Sequence, residues 1–279
     1  MDEPFLGSAA LASGRLTRHQ LRTRYVAVHQ DVYVSATTEL TPLLKARASW
    51  LRSRGRGVLV GLSAAAVHGT KWVDSRRPAE IADTNRRAAA GVIARGCELT
   101  AAEICERKGM WVTTPARTAV DLLCWYSVDK AVPMVDALAR ATRLNVADIA
   151  DAAEGHGGRR GIRRARAALA MVDPGAESPR ETWLRLLIIR AGLPRPQTQI
   201  AVRNGYGIVI AEADLGWEEL RIAVEYEGDH HRLDRRQFNR DIHRMDEMLE
   251  LGWIVIRVTV EDTPGSIVHR ISTAIARRA

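Results

Sequence analysis

The sequence predicts an α/β protein, with a mixed sheet flanked by helices over residues 176–279 and a mainly helical region before it. Three observations carry this expectation. Patterns after residue 176 run helix, three strands, helix, strand, helix, and a strand regained through a helical crossover pairs in parallel. "WIVIRVTV" from Trp253 is a continuous apolar run, as a strand covered on both faces requires. "DPGAESPRE" (Asp173–Glu181) gathers Pro, Gly and Ser into a joint that separates the two regions.

The C-terminal elements follow in order. Ser178, Pro179 and Glu181 have the spacing of a helix cap, a first-turn proline and a capping-box acid. The helix they open carries Trp183, Leu186 and Leu187 and stops near Gly192. Gln199–Val202 reads as a short strand. Ile208–Leu215 and Leu220–Glu227 read as two more, joined through Gly216–Glu219. Phe238, Ile242, Met245, Met248 and Leu249 recur at helical spacing before Gly252, and Pro264–Arg278 closes as an amphipathic helix.

Residues 1–60 and 61–175 are treated as two earlier regions. "LTRHQLRTR" reads as a short helix and "YVAVHQDVYV" as two strands about a turn, which together suggest part of a winged helix. Thr41–Arg54, "GLSAAAVHG" and "TTPARTAVDLL" read as helices, the last started by Pro115. Val128–Val172 looks all-helical and ends in a cluster formed by Arg159, Arg160, Arg163, Arg164 and Arg166.

Charge divides unevenly along the chain. Residues 176–279 hold 15 arginines and no lysine against 16 acids, whereas residues 1–175 hold 26 basic groups against 17 acids. Such an excess favours polyanions through phosphate contacts and counterion release, although a solvated basic surface has the same composition. No apolar run is long enough to span a membrane, and no secretion signal opens the chain. The three cysteines lack metal-ligand spacing, and the expected setting is a reducing cytoplasm.

"IAVEYEGDHHR" (Ile222–Arg232) holds the chemistry. Strand side chains alternate, so Glu225 and Glu227 share a face of what should be a core strand. Burying two carboxylates together is costly unless a positive group compensates them, and a hard divalent cation is one such group. A solvated edge strand is the other explanation. Asp214 on the preceding strand and Glu181 on the first helix bring two more acids to the same sheet end, though Glu181 has an equal claim as a capping residue.

These residues carry a resemblance. Glu181, Ala213-Asp214, Glu225-Tyr226-Glu227-Gly228, His231, Arg240-Asp241, Arg244 and "GWIVIRV" resemble the PD-(D/E)XK nucleases. Within that superfamily they are most similar to the very-short-patch-repair-like endonuclease domains. The resemblance implies a restriction-endonuclease-like sheet and a catalytic set of Glu181, Asp214, Glu225, Glu227, His231, Arg240 and Arg244. It also implies Mg²⁺ or Mn²⁺ on Asp214, Glu225 and Glu227, and duplex DNA as the substrate. An acid, Glu227, stands where the superfamily usually has lysine, as it does in this subgroup. A tight loop at Gly216–Glu219 would pair Asp214 with Arg221 and leave Glu212 nearer Glu225, so either acid is a candidate for the first strand ligand. Further toward the N-terminus, "HQDVYV", "LSAAAVHG" and "TTPARTAVDLL" resemble the winged-helix and helical region of AbiEi-type antitoxins.

The expected protein is a cytoplasmic, divalent-metal-dependent DNA endonuclease or nickase with a basic docking region. The alternative is a non-catalytic DNA-binding regulator on a decayed nuclease fold.

Overall fold

The computed structural model describes residues 3–85, 87, 89–227 and 244–278. The chain forms two compact units, residues 1–172 and residues 173–279.

The first unit opens with β1 (Phe5–Leu6), α1 (Gly7–Ala12), α2 (Arg18–Arg24) and a hairpin of β2 (Tyr25–His29) and β3 (Val32–Ser35). The three strands pair in the order β1-β3-β2. Thr17 and Gln20 cap α2 reciprocally, and Asp31 takes the left-handed conformation that a tight hairpin turn needs. Phe5, Ala10 and Leu21 form a small core, with Tyr25 edge-on to Phe5 at 5.0 Å.

A helix α3 (Pro42–Arg52) follows, capped by Thr41. Then come β4 (Val58–Leu59), α4 (Gly61–Val67), β5 (Ala79–Ala82), β6 (Val92–Ala94), β7 (Ile104–Arg107) and β8 (Met110–Thr113). These strands form a five-stranded mixed sheet, ordered β6-β5-β4-β8-β7. The expectation of a mainly helical stretch over 61–175 is therefore corrected for its first half. Strands of two to four residues are too short for their alternation to register as a pattern. Only assembly gives them a core, built from Leu59, Ile81, Met110 and Val112 with Ala46, Ala64 and Val67 of the helices. The second half is helical: α5 (Pro115–Trp125), α6 (Val128–Thr142), α7 (Val146–Glu154) and α8 (Ile162–Leu169), with α5 packed against the other three.

An ion network underlies α5. Arg117, 3% exposed, reaches Glu103 Oε1 at 2.5 Å and the fully buried Asp121 at 2.9 Å. Arg159 also meets Asp121 at 2.5 Å, and His156 Nε2 lies 2.8 Å from Glu103. Burial pushes the Glu103 carboxyl up, but the Thr100 N–H and the Arg117 guanidinium outweigh it and hold it at about 2, below its ordinary 4.5. A carboxyl depressed by folding stabilises the fold above its unfolded value and loses that contribution as pH falls toward its folded one. The melting temperature of this unit should therefore drop as pH is lowered from about 4.5 to about 2, and Arg117→Ala should flatten that drop. Thermal melts across the acid range check this, and an unchanged slope in the variant would refute it.

The second unit contains α9 (Pro179–Arg190), β9 (Gln197–Arg203), β10 (Val209–Trp217), β11 (Ile222–Tyr226), helical residues 244–250 (α10), β12 (Ile254–Val258) and α11 (Pro264–Arg278). Its sheet runs β12-β11-β10-β9, with β11 and β12 parallel and the remaining pairs antiparallel. Leu184 and Ile188 of α9 and Ile267 and Ile271 of α11 pack with Leu215, Ile222, Val224 and Val258 of the sheet. Met248 of α10 and Trp253 pack with Ala213, Ala223 and Ile200. The molecule is thus mixed α/β, with mixed sheets flanked by helices. No helix among the described residues is long and apolar enough to cross a membrane.

One boundary differs from the sequence reading, and it matters. β10 does not end at Leu215 but runs on to Trp217, and the turn falls at residues 218–221 rather than at Gly216–Glu219. Trp217 extends the strand because its ring is buried in the core opposite Ile222. Gly216 permits the pairing, since a Cβ there would come 2.0 Å from the Ile222 carbonyl oxygen.

Candidate active site

The longer β10 resets the register. Leu215 lies opposite Val224, Gly216 opposite Ala223 and Trp217 opposite Ile222, so one further step brings Asp214 level with Glu225. The expected pairing of Asp214 with Arg221 is corrected accordingly. Asp214 Oδ2 accepts a 2.9 Å hydrogen bond from the Tyr226 amide, beside Glu225. Glu212 is exposed and pairs outward with Ala201 on β9, away from this junction.

Glu181 enters from the first turn of α9. Ser178 caps the helix by accepting the Glu181 amide at 3.2 Å. The Glu181 carboxylate accepts the Glu177 amide at 2.7 Å, one residue before the cap, where a standard capping box would use the Ser178 amide. Gln199, held at φ 52°, donates from Nε2 to the same Oε2 at 3.4 Å. Glu181 therefore both supports its helix end and faces the sheet.

Electrostatics connects the acids. Burial raises the Glu181 carboxyl above the ordinary carboxylate range; the Glu177 amide opposes this and the Asp214 charge adds to it. Burial also raises Glu225, which is 7% exposed. There Arg244 opposes the shift, Asp214 reinforces it, and Arg257 and Glu227 act more weakly in opposite senses. Glu181, Asp214, Glu225 and Glu227 thus form one row of mutually repelling carboxyls at one end of the sheet. Glu227 sits at the rim, its amide donating to the Val258 carbonyl at 2.8 Å.

Three arginines border the row. Arg244 Nη2 of α10 lies 3.3 Å from Glu225 Oε2, and Arg257 Nη1 of β12 lies 2.9 Å from Glu227 Oε1. Arg180 lies over the Tyr226 ring at 5.8 Å. Sequence reasoning missed Arg257, Arg180 and Gln199. Arg257 left a signal, because it is the one charge inside the apolar run "WIVIRV" and stands in register with Glu225. His231 and Arg240 lie outside the described residues.

The donor set has the chemistry of a hard-cation site: carboxylate oxygens on adjacent strands, with burial and mutual repulsion unfavourable to their charge. Among the described residues, however, no three acidic, histidine or cysteine side chains converge tightly enough to hold an ion as they stand. Glu225 and Glu227 are instead each engaged by an arginine. The residues fit a divalent cation by type, and Arg244 and Arg257 are its competitors.

Two mycobacterial proteins resemble this chain. Uncharacterized protein MT2308 and Uncharacterized protein Rv2248, from two strains of Mycobacterium tuberculosis, are each 30% identical to it over 172 residues. The matched segment covers 61% of this chain and 63% of either relative. No family model matches the chain, and no solved structure matches it.

Proposed function

We propose that the second unit is a phosphodiester hydrolase that depends on a divalent metal. More specifically, the protein is a DNA endonuclease or nickase of the PD-(D/E)XK type, with its basic N-terminal part as the docking region. The observation that carries this reading is the register of β10 on β11, which sets Asp214 level with Glu225 and continues the acid row to Glu181 and Glu227. Glu181 and Asp214 also hold backbone amides, but the repulsion along the row is relieved by positive charge.

Asp214, Glu225 and Glu227 are the residues that would hold Mg²⁺ or Mn²⁺. A bound ion there supplies Lewis acidity toward a phosphoryl oxygen and makes a coordinated water more acidic. The side chains do the rest. Glu227 or His231 takes the proton from the attacking water, because the unit contains no lysine for that role. Arg244 and Arg240, one helical turn apart in sequence, bind the scissile phosphate as a charge-assisted clamp. Glu181, held by the Glu177 amide and Gln199, positions the Asp214 side of the row. In the first unit, the α2 helix and the β2–β3 hairpin are the parts we assign to a winged helix. Three free thiols suit a cytoplasmic setting.

A second reading has its own support. The Arg244–Glu225 and Arg257–Glu227 pairs neutralise two of the four acids without any cation, as a non-catalytic DNA-binding descendant of a nuclease would. Incubating supercoiled plasmid with the protein in Mg²⁺, Mn²⁺ or EDTA separates the two. Nicked or linear product with either metal and none in EDTA supports the enzyme. DNA binding without cleavage under any of these conditions supports the regulator.

His231→Ala resolves the choice of base. If His231 takes the proton, its loss should lower the rate by about 10²–10⁴-fold and leave metal affinity intact. If it does not, His231→Ala cleaves normally; and if Glu227 binds the metal, Glu227→Gln should lower metal affinity and rate together. Single-turnover cleavage beside a metal titration distinguishes these outcomes.

A further inference from the structure

A cleft of about 1010 Å³ lies in the first unit, and no residue of the acid row lines it. Arg95, Arg117 and Arg159 line it. Each is ion-paired, to Glu80, to Glu103 and Asp121, and to Asp121 respectively, yet none of those acids reaches the cleft surface. Arg160 and Arg164 also line it, are exposed and have no carboxylate at ion-pair distance among the described residues, and Arg164 Nη2 donates to the Cys124 carbonyl at 2.6 Å. The cleft therefore presents five arginines against one lining carboxylate, the exposed Glu98, while the acids paired to Arg95, Arg117 and Arg159 do not line it.

The start of α8 adds to this. The helix has neither an acid in its first turn nor a side-chain cap, and Arg164, which lines the cleft, stands in that turn where the dipole is already positive. An anion bound against that turn is favoured by both the helix dipole and the arginine. Gly161 makes the placement possible: its φ is 88°, and a Cβ would meet the Cys124 carbonyl oxygen at 2.5 Å. Gly157 and Gly158 differ, since a Cβ at either would meet nothing within 4 Å. Packing does not require glycine there, although both residues line the cleft.

We propose that this cleft binds a phosphate-bearing ligand, read through its charge. Arg95 and Arg159 both lie over the Trp125 ring, at 4.3 and 5.3 Å, so the indole positions guanidinium groups and offers no stacking platform for a base. The volume exceeds what one phosphate fills, so the cleft has room for more than one phosphate group. The phosphates come either from a free nucleotide or from successive phosphodiesters of a nucleic-acid backbone. This inference does not rest on the nuclease reading, and its test does not measure cleavage.

The test is calorimetric titration of the full chain with pyrophosphate, ATP and a short DNA duplex, against chloride at matched ionic strength. Pyrophosphate should bind above the chloride control, and R160A/R164A should weaken it by about tenfold or more, as expected for two charge-assisted contacts. R163A, which removes an exposed arginine of the same helix from outside the cleft, should leave binding unchanged. Pyrophosphate that displaces duplex identifies nucleic-acid phosphate as the ligand, whereas ATP binding without such displacement identifies a free nucleotide. No binding above chloride, or an equal loss in R163A, overturns the proposal.

Discussion

Replacing Glu225 with Gln and Asp214 with Asn is expected to abolish both plasmid cleavage and the rise in melting temperature on adding Mg²⁺ or Mn²⁺. A ligand that binds only the folded state stabilises it by about 2.7 kcal/mol at a hundredfold excess over its dissociation constant, so the wild-type shift is readily measured. The two amides keep the shape of the side chains and remove the charge that attracts the cation. They should not unfold the unit, because Glu225 is 7% exposed and repelled by Asp214, so the metal-free protein loses an unfavourable charge pair. Arg244 loses its partner, but it is one-third exposed and can turn to water. A metal-dependent shift that survives in the double variant would place the ion elsewhere and remove the basis of the nuclease reading.

The second large effect is on stability. Arg117→Ala should destabilise the first unit by about 3 kcal/mol, the lower end of the cost of breaking a buried ion pair. Arg117 is 3% exposed and bridges Glu103 to Asp121, which has no exposure at all. Without it Asp121 retains only Arg159, and Glu103 retains His156. For a unit of this size the loss corresponds to a fall of about 6–12 °C in the melting temperature. Arg117→Lys should fall between the two, because an ammonium keeps the charge but cannot reach both acids as a planar fork does. A shift of under about 2 °C for the alanine variant would show that Arg159 compensates Asp121 alone.

Particular residues show how far the site could be read in advance. Glu225 and Glu227 were legible because two carboxylates break an apolar alternation, and Glu181 because it follows a serine and a proline at capping spacing. The pairing partner of Asp214 was not legible. Gly216 and Trp217 look like the start of a loop, and only the burial of the Trp217 ring opposite Ile222 keeps them in the strand. Extending the strand by two residues moves the turn and shifts every cross-strand pair, as register always does. Arg257 was hidden for a related reason, since its role depends on the parallel pairing of β11 with β12. In the first unit the short strands β4 and β6 have two and three residues, below the length at which a period can be seen.

The sequence by itself determined the order of elements in the second unit, the cap of α9, the proline that starts α5, the uneven charge and the identity of the acids. All of these are local: a cap, a proline or a period acts within a few residues of chain. Tertiary structure alone decided that Asp214 rather than Glu212 stands beside Glu225, and that arginines already engage Glu225 and Glu227. It also assembled a cleft from Arg95, Arg117 and Arg164, residues far apart in the sequence. Those facts depend on which segments bury their apolar faces against one another, and that competition is settled only when the whole core forms.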